Sequence, residues 1–285
     1  MFLYKDLLNE IQQFCDHGVE TGVVGESELN QRIPYVFVGQ KNGNYMIVQA
    51  AIHAREHLTA LVAVCLAKRL LSRRAPLNGG IYFVPMSNPD GVRLCQEGVG
   101  WISDENVRRK LVAINNGSDD FSLWKANADG VDLNVNFDAE WGNGAQNVFS
   151  PAPQNYVGEY AESARETRAL KEFTLRINPR VTLSYHLKGE EIYWQFDQSG
   201  DRLERDRKYA QAIADYTGYR LVSAGGSVGG YKDWCVSGLS IPAFTIEVGS
   251  DAFDHPFPYS QLSQIVKQND DLPRRLLNTV VRDIT

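Results

Sequence analysis

Five short apolar runs restrict the fold of this 285-residue chain more than any other feature: 34–38 (PYVFV), 45–51 (YMIVQAA), 81–85 (IYFVP), 181–186 (VTLSYH) and 243–248 (AFTIEV). All are short and rich in apolar and β-favouring residues. Continuous apolar character of this length is what strands covered on both faces require. Helical periodicity over 57–73, 161–176, 201–216 and 260–282 separates them, so the chain reads as an α/β sheet flanked by helices. The opening MFLYKDLLNEIQQFCDHG places Phe2, Leu3, Leu7, Leu8, Ile11 and Phe14 on one helical face. No repeat, low-complexity tract or Pro/Ser-rich linker interrupts the pattern, and residues 1–285 read as a single domain. Between the elements, 87–160 is long and rich in Gly, Asn and Asp, and an irregular stretch of that length usually builds a site.

Charge excludes some partners. With 29 basic against 35 acidic residues the net charge is −6, and no basic cluster marks a nucleic-acid footprint. Nothing in that balance favours an anionic membrane, and no apolar run approaches the ~20 residues that span a bilayer. The N-terminus lacks the basic, apolar and small-residue zones of a secretory signal. Cys15, Cys65, Cys95 and Cys235 are scattered, with no CxxC pair. Free thiols in a reducing cytoplasm are the simplest account of them.

Chemistry concentrates at the ends of the apolar runs. The second run leads into AAIHAREH and then directly into the helical LTALVAVCLAKRLL. His53 and Glu56 stand three residues apart at that junction, so both side chains reach one face of a starting helix. An imidazole and a carboxylate there suit zinc, whose catalytic sites take three protein ligands and a water. His186, closing VTLSYH, is the candidate third ligand, because open α/β sheets gather ligands at strand ends. Each signal is weak by itself, since HxxE pairs arise by chance and a strand-end histidine is often a hydrogen-bonded core residue. His57 competes through its i, i+4 spacing to His53, but Ala54 stands where an HExxH site needs its glutamate. Glu247 sits within the otherwise apolar PAFTIEVGS. A buried carboxylate needs a partner or a task, either a salt bridge or service as general base beside the metal's water.

These residues together resemble the zinc carboxypeptidases, the M14 metallopeptidases. HAREH matches the family's first ligand pair, SYH its third ligand and FTIEVG the strand bearing its catalytic glutamate. SNPDGV, GVDLNVNFDAEWG and GGSVGGYKDW match three further motifs in the family's order. The resemblance implies a mixed, twisted sheet of about eight strands between helices. It also implies one Zn2+ ion on His53, Glu56 and His186, with Glu247 as base. Lys125, after Trp124, stands where the family has a carbonyl-polarising arginine, and a lysine supplies a point charge there.

Departures from the family pattern bear on substrate. Asn134 of the carboxylate-binding Asn-Arg pair is kept, but Val135 replaces the arginine, and valine makes no bidentate clamp. Arg93 is one candidate to replace the lost charge. Tyr231 is a candidate for the tyrosine missing after Asp233-Trp234. WKAN, HLKGEEIYW, GGYKDW and HPFPYSQLSQIVKQN resemble the branch that cleaves γ-D-glutamyl–diaminopimelate bonds of bacterial cell-wall peptides. The resemblance thus implies a small peptide as the partner, with Lys188, Glu190 and Glu191 as candidate contacts to diaminopimelate. No LysM repeat is present, which leads to the expectation of a soluble cytoplasmic enzyme acting on released muropeptides. The rival readings are a carboxypeptidase or N-acyl amino acid amidohydrolase of other specificity, and a non-catalytic binding protein of the same fold.

Overall fold

Among the described residues eight strands form one sheet, and four of the five apolar runs build its middle. A computed structural model describes residues 1–73, 75–222 and 227–284. The strands are β1 (Glu20–Glu26), β2 (Arg32–Gly39), β3 (Tyr45–Ala50), β4 (Gly80–Val84), β5 (Val181–Leu187), β6 (Glu191–Tyr193), β7 (Arg220–Val222) and β8 (Ala243–Val248). They lie in the order β1-β2-β4-β3-β5-β8-β6-β7. The inner four, β4, β3, β5 and β8, are mutually parallel. Toward the edges the sheet turns antiparallel, at β4–β2, β2–β1 and β8–β6. Every residue of β4 and β5 is buried, as helices on both faces demand. The mixed sheet of about eight strands is therefore present as expected. The five apolar runs all become strands, while β1, β6 and β7 are too short or too polar to carry that signature.

The helices are α1 (Tyr4–Asp16), α2 (Leu58–Ser72), α3 (Pro89–Glu97), α4 (Glu105–Ile114), α5 (Arg165–Ile177), α6 (Gly200–Thr217), α7 (Tyr231–Leu239), α8 (Leu262–Asn269) and α9 (Leu272–Ile284). Two expectations are corrected. The span 260–282 is two helices, because Pro273 lies in the first turn of α9 and suits a fresh start better than a continuation. The stretch 87–160 is not wholly irregular. Asn88 caps α3 through the Gly91 amide, with Pro89 at the first helical position, and Asp104 caps α4 through the Asn106 amide. In the main core, Leu183, Phe244 and Ile246 are fully buried against α2 and α9 residues such as Val62 and Leu277. Each contributes about 1.5–3 kcal/mol on leaving water. No helix among the described residues is long and apolar enough to cross a membrane.

A buried acidic group ties α5 to the β1–β2 turn. Glu166 accepts hydrogen bonds from the Glu28 amide (3.2 Å) and Asn127 Nδ2 (3.0 Å). Nearby, Asp90 accepts from the Leu29 amide at 2.7 Å. Burial, reinforced by Asp90 and Glu28, pushes Glu166 from 4.5 up to about 8. Between those values the folded chain holds a proton that the unfolded chain has released, so stability falls as pH rises across that window. Glu166→Gln removes this contribution. Its melting temperature should decline less between pH 5 and pH 8 than that of the parent chain, and parallel declines would refute the assignment.

Candidate active site

Strand order and register create the site. β3, β5 and β8 run side by side in parallel, with Ala50 opposite Tyr185 and His186 opposite Glu247. Their carboxyl ends therefore open at the same edge, where an α/β sheet presents its ligands. Beyond β3 the chain makes a 3-10 turn over Ala54–Glu56 with His53 at its cap. That turn swings His53 and Glu56 back towards His186. The Ala54 amide donates to the Lys125 carbonyl at 3.1 Å. Asn88 Nδ2 donates to the Ile52 and Ala126 carbonyls, both at 3.1 Å. One asparagine thus staples the His53 turn to the Lys125 segment. A Cβ on Gly91 would stand 2.3 Å from the Ala126 carbonyl oxygen, so the close approach demands glycine.

The three candidate ligands converge. His53 Nδ1 lies 2.8 Å from Glu56 Oε1, His186 Nδ1 lies 3.1 Å from Glu56 Oε2, and the two Nδ1 atoms are 3.2 Å apart. All three residues are buried, and their ligand atoms fall within 4.8 Å of one another. Without a cation the two ring nitrogens share one proton between their lone pairs, whereas a cation would accept both. Two nitrogens held tetrahedrally at roughly 2.0–2.1 Å from one zinc stand about 3.3 Å apart, which the observed spacing fits. Burial would raise Glu56, but His53 and His186 hold it well below the usual carboxylate range. His57 takes no part. Its Nδ1 hydrogen-bonds the Tyr259 hydroxyl at 2.9 Å, and burial pushes the ring down to about 4.

Glu247 lines the same cavity as His53 and Lys125, a hollow of about 670 Å³. Among the described residues no hydrogen bond reaches its buried Oε2. Burial pushes it up to about 8, with Glu56 adding to the rise and His186 and Lys125 opposing it. Asp132 was not anticipated. Fully buried within GVDLNVNF, it approaches His53 Nε2 at 3.3 Å and pairs with Lys125 Nζ at 2.8 Å. Burial would raise it, but Lys125 and His53 keep it well below the carboxylate range. A strongly ionised carboxylate behind one ligand and beside the cavity lysine links two functional groups. The sequence signal was present, in an aspartate within an otherwise matched motif.

The proposed substrate contacts divide. Asn134 and Val135 line the cavity, and Asn134 Oδ1 accepts from the Tyr231 amide at 3.2 Å. The remaining candidates do not line it. Tyr231 is fully buried, with its hydroxyl 2.8 Å from Thr174 Oγ1, so it serves the core. Arg93 lies over the Trp101 ring at 3.8 Å and donates to Glu97 at 2.9 Å. Lys188 donates to the Asp251 carbonyl at 3.1 Å, and Glu190 accepts from Gln268 at 3.0 Å. Glu191, opposite Glu247 in the sheet, is paired with Arg220 and accepts from the Tyr193 hydroxyl at 2.8 Å. Tyr193, Gln195, Asp197 and Lys232 line the cavity and escaped sequence reasoning. Of the GGSVGGYKDW loop, Gly225 and Gly226 lie outside the described residues, while Ser227 and Val228 line the cavity.

Comparison with known proteins is consistent with this geometry. The family model described as zinc carboxypeptidase matches residues 4–271. A γ-D-glutamyl-L-diamino acid endopeptidase 1 of Lysinibacillus sphaericus is 34% identical over 284 residues, covering 93% of this chain and 69% of that protein. Bovine thrombin-activatable fibrinolysis inhibitor, solved with a tick carboxypeptidase inhibitor, superposes with a TM-score of 0.78 at 20% identity, over 98% of this chain and 96% of that one. Murein-tripeptide amidase MpaA from Escherichia coli O157 gives 0.60 at 22% identity, over 90% and 91% of the two chains. If Asp132 orients and charges the His53 ring, Asp132→Ala should weaken zinc binding by about tenfold to a hundredfold. Competition with a chromogenic chelator measures this, and unaltered affinity would refute the role.

Proposed function

The chain belongs to the zinc carboxypeptidase family, and from that membership we propose that it hydrolyses the bond between the side-chain carboxyl of D-glutamate and meso-diaminopimelate in bacterial cell-wall peptides. One observation carries this reading. His53, clustered with Glu56 and His186, and Glu247 line a cavity in which Val135 stands beside Asn134, where an arginine would serve ordinary C-terminal trimming. The 34% identity to a γ-D-glutamyl-L-diamino acid endopeptidase supports the substrate class.

In this mechanism His53, Glu56 and His186 hold one zinc ion. When bound, zinc acidifies water and polarises the scissile carbonyl. Glu247 takes the proton from the attacking water. It then delivers that proton to the departing amine of the diamino acid. Lys125 offers its ammonium to the oxygen that gains negative charge. Asp132 holds that ammonium in place at 2.8 Å, so the charge is aimed before the reaction begins.

The deciding assay uses L-Ala-γ-D-Glu-meso-diaminopimelate with the zinc-loaded enzyme. Glu247→Gln should keep its zinc, measured by atomic absorption, while kcat falls by about 10²–10⁴-fold. Near-normal turnover in that variant would remove Glu247 from its role. Faster cleavage of an ordinary C-terminal residue by the parent enzyme would reject the cell-wall substrate.

A further inference from the structure

The cavity contains two lysines. Lys125 is taken up by Asp132. Lys232, in the first turn of α7, belongs to none of the groups that the mechanism employs. Its side chain is only 11% exposed, its Nζ donates to the Gln195 carbonyl at 3.0 Å and ion-pairs with Asp233, and it lies 5.3 Å from the Phe196 ring. An ammonium has three N–H donors, so these two polar partners leave one for a ligand. Asp197 lines the same hollow two residues beyond Gln195. It is exposed, and no hydrogen bond or ion pair engages its carboxylate among the described residues.

The start of α7 is also fastened to the segment that lacks the family's arginine. The Tyr231 amide donates to Asn134 Oδ1 at 3.2 Å, and the Phe137 amide donates to the Gly229 carbonyl at 2.9 Å. A Cβ on Gly229 would meet the Val135 carbonyl oxygen at 3.0 Å. The first turn of α7, which carries Lys232, is thus set against the segment where Val135 replaces the family's arginine.

Building on the cell-wall peptide reading, we propose that Lys232 and Asp197 form the subsite that recognises the distal amino-acid centre of the leaving group, Lys232 taking its carboxylate and Asp197 its ammonium. A diamino acid with a carboxylate beside its second amine, as in meso-diaminopimelate, satisfies both charges. A lysine side chain ends in an ammonium alone, leaves the third N–H of Lys232 unused and brings two cations together. The subsite therefore selects between diamino acids, with Glu247 and the ligand set untouched.

The test measures kcat/KM for L-Ala-γ-D-Glu-meso-diaminopimelate and for L-Ala-γ-D-Glu-L-Lys, in the parent enzyme, K232M and D197N. The ratio of the two should fall by about tenfold to a hundredfold in K232M, the range of one charge-assisted hydrogen bond. In D197N kcat/KM should fall by about threefold for both peptides, because each ends in an ammonium and solvent screens the charge. Lys232→Arg should retain most of the preference. An unchanged ratio in K232M overturns the proposal, as does an unchanged kcat/KM for both peptides in D197N, and D197N, at the exposed rim, decides it if K232M fails to fold. If the parent cleaves neither peptide, the cell-wall reading falls, and calorimetry with free meso-diaminopimelate still decides the subsite. Weaker binding to K232M than to the parent supports it, while equal binding or none overturns it.

Discussion

Two imidazole nitrogens 3.2 Å apart, with a buried carboxylate about 3 Å from each, are a costly arrangement for any chain to fold around. Much of the surrounding architecture can be understood as the means of imposing it. Parallel alignment of β3, β5 and β8 brings the strand ends together, and the 3-10 turn after β3 points His53 and Glu56 across the gap. The Asn88 staple holds that turn to the Lys125 segment. Behind His53, Asp132 adds the negative charge that a cation-binding cluster needs. A divalent ion relieves the facing lone pairs, and part of the folding cost then becomes affinity for metal.

The sheet's interior was legible because strands buried on both faces leave no choice of residue type. All five apolar runs are strands, and four of them, 45–51, 81–85, 181–186 and 243–248, make the parallel centre. The peripheral strands carry little of that information. β6 and β7 are three residues each, and β1 is mostly half-exposed. The helices α3 and α4 were hidden by the Gly, Asn and Asp content around them. Their start signals, Asn88-Pro89 and Asp104-Glu105, are nonetheless ordinary capping chemistry.

Of the site, the candidate ligands His53, Glu56 and His186 and the candidate base Glu247 were readable because they depend on strand ends, which local pattern locates. Contacts that depend on how loops cross the sheet were not. Lys188, Glu190 and Glu191 follow a ligand directly in sequence, yet each is engaged by a partner elsewhere on the surface. Lys232 is separated from His186 by 46 residues of chain, yet it reaches the cavity because α7 packs its Tyr231 and Trp234 against Phe137. Proximity in sequence misled at the first group. Tertiary packing alone placed the second.

Reaction and recognition thus occupy separate hardware. The residues assigned to bond cleavage lie on or next to the rigid inner strands, whereas the cation of the proposed subsite rides on a short helix attached to the 134–137 segment through main-chain hydrogen bonds. A helix anchored by its buried Tyr231 and Trp234 keeps its place when the cavity-facing residue between them is exchanged. A lineage carrying this arrangement is able to drift from one peptide diet to another by exchanging a residue at position 232 or 197, with the hydrolytic apparatus inherited intact.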